Sequence, residues 1–498
     1  MRRQMPIFYS ALMLTGVNLL LRMVGTSFQV FLSGRIGAAG IGLLQLVLSV
    51  GSMAMTAGIG GIRTATMYLT AGELGRGRRG TVIWVLSGCC LYSIICSTAV
   101  GALLYGLAPI IATNWIGDIQ ALAALRLLAA FLPVSCLTGV MTGYFTAANR
   151  IGTLAVIEVA EQLCAMVFTV AALILWAGND PSKACLSVVL GSGLGSVFTL
   201  LCLMYTRIRE KSPISNRIAI AKALTDTAVP LAAADDLKAG ISTLENLMVP
   251  KRLALYRGCA DPLALFGTVC GMVFPVLMFP AAILFGLTEL LIPEMARCNA
   301  AGSTRRICYL LRRSLRLALF YGSFCGGILY LTAPSLCQAL YGSAEAGRYL
   351  RWFAPLAVML YCDIVTDAMI KGLGQQKASV RYNIFTSAMD VAFLFILLPK
   401  YGIHGYYFSF FVTHFINFLL SIRRLLRITK ARFSLKRPLL TILCTIGSVY
   451  LSNTLSTPLL KITAFILLFF CSLFLMGVLR REDLRWFRGL IRKNHLAV

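Results

Sequence analysis

Charge, acid and histidine are what this chain is short of. Only 13% of its 498 residues are Asp, Glu, Lys or Arg, where a soluble globule carries roughly a quarter. Hydrophobic residues make up 58%, and mean hydropathy is +0.80. That balance excludes an ordinary soluble fold. The three histidines are dispersed: His404 precedes a glycine at a helix start, His414 lies in an apolar span and His495 sits in the tail. The sixteen cysteines form no CxxC pair and no Cys/His cluster with metal-ligand spacing, so neither a metal nor a cofactor is expected. Most, including Cys89, Cys90, Cys164, Cys202 and Cys325, fall in apolar runs, where a free thiol behaves as a small hydrophobe. The loops between spans are too short for a catalytic domain. Asp118, Asp180, Asp261 and Glu345 are scattered singly among them, so no enzyme is expected.

What is present is a series of apolar stretches, each long enough to cross a bilayer, which takes about 20 residues. Fourteen are read, near residues 7–33, 40–69, 81–112, 121–147, 152–177, 184–206, 226–249, 262–294, 310–338, 349–371, 379–398, 403–425, 437–455 and 459–479. The fold class expected is therefore an all-α polytopic membrane protein. The net charge of +27 is unevenly placed. Of 46 Lys and Arg, 33 fall on one set of alternate loops and ends, 10 on the other, and 3 inside spans. By the positive-inside rule both termini are cytoplasmic, and an odd number of spans would spoil the alternation. The basic excess then serves orientation and attraction to anionic lipid rather than nucleic-acid binding. The first span is too long for a signal-peptide core and lacks a small-residue cleavage site, so it is expected to be retained.

The chain also repeats itself. RLLAAFLP (Arg126 to Pro133) and RYLRWFAP (Arg348 to Pro355) share Arg, Leu, Phe and Pro at matching places, 222 residues apart. Gly143 to Glu161 and Gly372 to Asp390 are both 18 residues; Arg22 to Arg35 and Lys238 to Lys251 are both 13. This common order predicts two pseudo-symmetric six-helix lobes, residues 1–215 and 216–435, related by an axis along the membrane normal. Residues 436–498 supply helices 13 and 14 and a basic cytoplasmic tail. Gly58, Gly60 and Gly61 in the second span, and Pro275 and Pro280 in the eighth, mark helices that can kink.

Three cations, Arg22, Arg63 and Lys238, interrupt segments that otherwise read as spans. A cation in hydrocarbon costs roughly 2.5–3.5 kcal/mol on insertion scales, so it normally faces a watery cavity and meets an anion there. The three are the candidate substrate-binding residues. A diphosphate suits arginine, which offers a planar fork of donors and keeps its proton. The competing reading is an internal ion pair, with Glu158 or Glu161 of the fifth helix as partner. The seventh helix is unusually polar. Asp235 and Lys238 are neighbours on one face, with Asp236 beside them and Glu245 two turns on. Asp363 and Asp367 stand one turn apart on the tenth helix, and Asp390 lies on the eleventh. These acids read either as internal partners or as sites coupling transport to a proton or sodium gradient.

Four segments resemble the multidrug/oligosaccharidyl-lipid/polysaccharide exporter superfamily, and within it the stage V sporulation protein B and polysaccharide-flippase branch, related to the lipid II flippases. They are GIGLLQLVLSVGSMAMTAGIGGIRTATMYLTAGE (Gly40 to Glu73), PVSCLTGVMTGYFTAANR (Pro133 to Arg150), STLENLMVPKRL (Ser242 to Leu253) and KGLGQQKASVRYN (Lys371 to Asn383). The resemblance spans about residues 6–430. It implies a MATE-like fold of two six-helix lobes with alternating access, in the bacterial plasma membrane. It also implies outward movement of undecaprenyl-pyrophosphate-linked saccharides or peptidoglycan-type precursors, with cell-wall or sporulation roles. In such flippases cavity arginines of helices 1 and 2 meet the pyrophosphate, and Arg22 and Arg63 lie on the matching helices. The eighth helix departs from that pattern: it has no intramembrane arginine and instead bears Glu289 and Glu294, which leaves Lys238 to take the cationic role. A multidrug or cation antiporter of the same fold, and a non-transporting scaffold for wall synthesis, are the alternatives. Partners expected are a lipid-linked anionic substrate and membrane lipids, without nucleic acid, for a chain acting as a monomer.

Overall fold

The computed structural model describes residues 7–59, 61–75, 79–148, 150–178, 180–208, 221–431 and 436–478, and every regular element among them is helical. Gly60, Arg76, Arg78, the basic loop around Lys211, the expected lobe boundary at residue 215 and the tail from Arg480 to Lys493 lie outside the described residues. The helices are α1 (Ile7–Ile59), α2 (Ile62–Gly75), α3 (Val82–Ile110), α4 (Ala121–Ala147), α5 (Ile151–Ala172) and α6 (Pro181–Ile208). Then come α7 (Ala221–Leu253), α8 (Pro262–Phe266), α9 (Phe274–Met278), α10 (Ala282–Ala300), α11 (Thr304–Tyr341) and α12 (Ala344–Phe353). The last are α13 (Ala357–Gly372), α14 (Gln376–Tyr401), α15 (Ile403–Thr429), α16 (Lys436–Asn453) and α17 (Pro458–Leu475).

Among the described residues, ten helical stretches are long and apolar enough to cross a membrane, and the bent pair Pro262–Met278 and Ala282–Ala300 makes eleven. One of the ten, Leu19–Leu74, has 56 residues. At 1.5 Å per residue it is about 84 Å long, more than twice a hydrocarbon core of about 30 Å, so it makes two passes. Its breaks are at Gly37 (φ 67°) and Gly61 (φ 69°), left-handed positions that suit glycine. Helix α7 has the length, at 33 residues, but carries the charges noted above, and α16 has 18 residues of lower hydropathy. Together these make fourteen crossings among the described residues, and the kinks expected in the second and eighth spans are present. The eighth bends by 60° between Met278 and Ala282, next to Pro280.

Helix ends carry their own signals. Asp261 caps α8 through Ala264 N–H, with Pro262 at the first helical position. Ser343 caps α12, after Gly342 in a left-handed conformation has ended α11. Inside the spans, hydroxyls bond back to carbonyls one turn earlier, as Thr66 does to Ile62 (2.7 Å) and Thr366 to Cys362 (2.7 Å). This satisfies polar groups where no water is available.

The chain forms two compact units. The first comprises Met1–Pro275 and Val380–Thr413, the second Val276–Ser379 and His414–Val498. In the first, Ile62, Val85, Val140, Phe145 and Leu203 form a core among α2, α3, α4 and α6. Helix α4 approaches the start of α2 so closely that a Cβ on Gly143 would come within 2.5 Å of the Arg63 carbonyl. In the second, Leu331, Cys444, Phe465, Phe469 and Leu473 join α11 to α16 and α17. Outer faces remain apolar, with Leu103, Val167 and Leu175 exposed on the first unit and Leu443, Ile446 and Leu467 on the second. Such surfaces suit a lipid surround.

Candidate functional site

Within the first unit, the 38–59 stretch of α1, the start of α2 and the middle of α7 enclose a cavity of about 640 Å³, within the usual range for a small-ligand site. Three of its lining residues are charged: Arg63 from α2, and Asp235 and Lys238 from α7. The break at Gly61 starts a new helix two residues before Arg63, and this turn delivers the guanidinium to the cavity wall. Asp235 and Lys238, three apart on α7, reach the cavity together, as their shared face requires.

The rest of the wall is uncharged and mixes polar side chains with the apolar Leu48, Ile59 and Ala239. Gln45, Ser49, Ser52 and Thr56 face it from α1, and Ser242, Thr243 and Asn246 from α7. Thr243 Oγ1 donates to the Ser49 carbonyl (3.0 Å) and Asn246 Nδ2 to Ser49 Oγ (3.0 Å). These bonds tie α7 to α1 at one end of the cavity. Beyond them α1 also approaches α8 and the turn that follows it, backbone to backbone. A Cβ on Gly267 would collide with the Ala38 carbonyl, and one on Gly42 with the Leu263 carbonyl. Gln29 Nε2 donates to the Gly271 carbonyl (2.7 Å). Lys251, at the end of α7, donates to the Asn114 carbonyl, and Arg252 lies 3.3 Å over the Phe395 ring.

Sequence reasoning sought charge and so passed over these neutral residues. Their signal was legible: Gln45, Ser49, Ser52 and Thr56 recur at steps of four, three and four, as do Asp235, Lys238, Ser242 and Asn246 at three, four and four. Each is a polar stripe on an otherwise apolar helix.

The other candidates are distributed as follows. Arg22 is half-buried on α1 and is not among the residues that line the cavity; three residues further on, Gly25 lies against Gln162 of α5. Glu158 and Glu161 are half-buried on α5, and Glu158 lies within electrostatic reach of both Arg63 and Glu161. Asp236 is not among the residues that line the cavity; its Oδ1 is buried and has no hydrogen-bond partner among the described residues, and Tyr92 of α3 is within reach of its charge.

Glu245 and Asp390, 145 residues apart, come together in the first unit. Asp390 Oδ1 accepts from Ser409 (2.5 Å) and Thr413 (3.3 Å) of α15. Glu245 has Asp390 as its charged neighbour and Ser387 as a hydrogen-bonding one, while its Oε1 is buried without a partner among the described residues. Tyr406, whose hydroxyl sits 3.7 Å from Cys270 Sγ, is within electrostatic reach of both acids. Two carboxylates among hydroxyls can share a proton or hold a monovalent cation.

In the second unit Asp363 accepts from Asn417 Nδ2 (3.1 and 3.4 Å), and Asp367 pairs with Lys371 (2.6 Å) and accepts from Ser379. Glu294 of α10 meets Arg306 (2.5 Å) and Arg297 (3.5 Å) at the corner into α11. Among the described residues no group of three His, Cys, Asp or Glu is arranged to hold a metal ion.

No protein-family model matches the chain. It is 23% identical to stage V sporulation protein B of Bacillus subtilis (strain 168) over 407 residues, 79% of this chain and 78% of that protein. To sporulation protein YkvU of the same organism it is 22% identical over 279 residues, 53% of this chain and 61% of that one. Among solved structures, lipid II flippase MurJ in an inward closed conformation matches with a TM-score of 0.69 at 13% identity, covering 96% of this chain and 100% of that one. An inward-facing multidrug resistance MATE family transporter of the MOP superfamily matches with a TM-score of 0.64 at 16% identity, covering 84% and 100%. The chain is thus a polytopic membrane protein with the fold of the multidrug/oligosaccharidyl-lipid/polysaccharide exporters. Its sequence is similar to that of stage V sporulation protein B, and the resemblance read from its own segments holds.

Proposed function

We propose that the protein is an alternating-access flippase that carries an undecaprenyl-pyrophosphate-linked saccharide or peptidoglycan-type precursor outward across the bacterial plasma membrane. The observation that carries this reading is the pairing of Arg63 with Lys238 on facing helices of one cavity, among hydroxyls and amides. A diphosphate needs at least two cations and several further donors. Sugar hydroxyls need the mixture of donors and acceptors that Gln45, Ser52, Ser242 and Asp235 present. Arg22, outside the cavity lining here, takes its turn at another stage of the cycle. Residues 1–215 and 216–435 act as the two rocking lobes, with 436–498 appended, both termini cytoplasmic and the monomer as the working unit.

A second element concerns the driving force. The meeting of Glu245 with Asp390, Ser409 and Thr413 favours a coupling site for a proton or sodium ion, fed by the gradient that returns the carrier. If the cavity took a cationic drug instead, the same acids would make the protein an antiporter.

Reconstitution in vesicles tests the main reading. Flipping of a fluorescent undecaprenyl-pyrophosphate-linked saccharide should be seen with the native chain and lost in the Arg63→Ala, Lys238→Ala double variant present at equal level. Normal flipping by that variant would overturn the mechanism and leave the antiporter in first place. Orientation is checked with single cysteines in a Cys-depleted background. Those at Arg79 and Arg306 should react only with a permeant reagent, those at Lys183 and Ser343 with an impermeant one.

A further inference from the structure

A groove in the second unit belongs to none of the sites above. It measures about 1040 Å³ and runs between α11, the end of α15 and α17. One stripe of α11 forms its floor: Arg305, Tyr309, Arg312, Arg316, Phe320 and Phe324 follow at steps of four, three, four, four and four, so they share a face. The stripe changes character along its length. Its first three turns are basic, and within about 12 Å beyond Arg316 it becomes wholly aromatic.

The walls continue the division. Arg313 joins the basic end and donates to Tyr309 (2.8 Å). Lys430 faces Arg305 and its neighbours from the end of α15. Lys430 is the one non-glycine residue with positive φ (53°) among the described residues. A lysine in this left-handed conformation is uncommon, and glycine would be easier there. The Thr429 carbonyl beside it accepts from Cys308 Sγ of α11 (3.4 Å), which pins the turn to the groove. At the other end Phe469, Phe470 and Leu473 of α17 close on Phe324, with ring centroids 5.9 Å apart for both phenylalanines. Five cations line the groove, and no carboxylate does. The nearby Glu294 is already engaged by Arg306 and Arg297.

A cleft that is cationic at one end, aromatic at the other and open along its side matches an amphiphile with an anionic head and acyl chains. We infer that this groove binds a bilayer phospholipid with an anionic headgroup: its phosphate lies among Arg305, Arg312, Arg316 and Lys430, and its acyl chains lie along Phe320, Phe324 and Phe470. The site is separate from the cavity of Arg63 and Lys238 and does not depend on what that cavity carries.

The test uses the purified full chain in detergent and a fluorescent acyl-labelled phosphatidylglycerol read by anisotropy. Unlabelled phosphatidylglycerol should displace the probe, with phosphatidylcholine at least tenfold weaker and inorganic phosphate without effect. The Arg305→Gln, Arg312→Gln variant should bind the probe at least tenfold more weakly, at roughly fivefold per cation. Lys430→Gly keeps the backbone conformation easy, so it should fold as well as the native chain while losing roughly fivefold in affinity. Phe470→Ala should weaken binding, and Arg63→Ala should leave it unchanged. Equal displacement by phosphatidylcholine, displacement by inorganic phosphate, or full binding by both charge variants would overturn the proposal. So would tighter displacement by undecaprenyl phosphate, which would assign the groove to the polyprenyl carrier, or loss of binding in Arg63→Ala.

Discussion

In the second unit, Asp363 and Asp367 sit one turn apart on α13, and each is met by a partner of the same unit: an amide from Asn417, or an ammonium from Lys371 with a hydroxyl from Ser379. In the first unit, Arg63, Asp235 and Lys238 stand on a cavity wall, among groups that can turn toward a guest. Both arrangements place charge within membrane-spanning helices. The first answers it inside the protein, which fixes α13 against α14 and α15. The second has neighbours of opposite sign as well, Glu158 within electrostatic reach of Arg63 and Asp235 on the same face as Lys238, but it also borders a cavity of about 640 Å³. The difference lies in access to that cavity, which the Asp363 and Asp367 contacts do not border and Arg63, Asp235 and Lys238 do, so a charged residue in an apolar span is not by itself a functional assignment.

The sharpest way to break this contrast is to remove a cavity charge. Arg63→Ala should reduce complementation or flipping by roughly a hundredfold, the scale expected when one side of a desolvated charge pair is lost, while protein in the membrane stays near normal. Arg63→Lys should recover part of it, because lysine keeps the charge and loses the fork. An unstable Arg63→Ala rescued by Glu158→Ala would place Arg63 with the internally answered charges instead.

A smaller effect, on the order of tenfold, is expected for Glu245→Gln and Asp390→Asn, measured as the dependence of transport on an imposed proton or sodium gradient. Loss of gradient dependence with substrate binding intact would support the coupling role; unchanged gradient dependence would remove it.

On the structural side, Asn417→Leu removes the donor to Asp363 and should lower stability by about 2 kcal/mol, read as thermal unfolding in detergent. Transport per folded molecule should stay the same. A stable but inactive Asn417→Leu would show that α13 takes part in the transport cycle and that its acids are not only structural. The mildest change is Thr243→Val, which removes the bond to the Ser49 carbonyl. It should alter apparent substrate affinity by about fivefold, the worth of one hydrogen bond of about 1 kcal/mol.

Much of the architecture was legible along the chain because its causes are local. A run of apolar residues reports a crossing without knowledge of its neighbours, and Gly61 and Pro280 mark breaks because their backbone limits do not depend on packing. Arg63 and Lys238 were legible for the same reason: a lone cation in an apolar run is costly wherever it sits. Arg22 met the same criterion, yet the tertiary arrangement left it outside the cavity lining, since hydropathy does not say which side of a helix faces which neighbour.

Sequence by itself thus determined the helical class, the sites of bending and the two cations of the cavity, all of which follow from the solvation of single residues or single segments. Tertiary structure alone decided that Glu245 meets Asp390, that Asn417 answers Asp363, that Ser49 ties α1 to α7, and that the arginine stripe of α11 ends against the aromatic rings of α17. Each of these joins residues from different helices. Their energies arise from distances between side chains, and those distances exist only once the helices have packed.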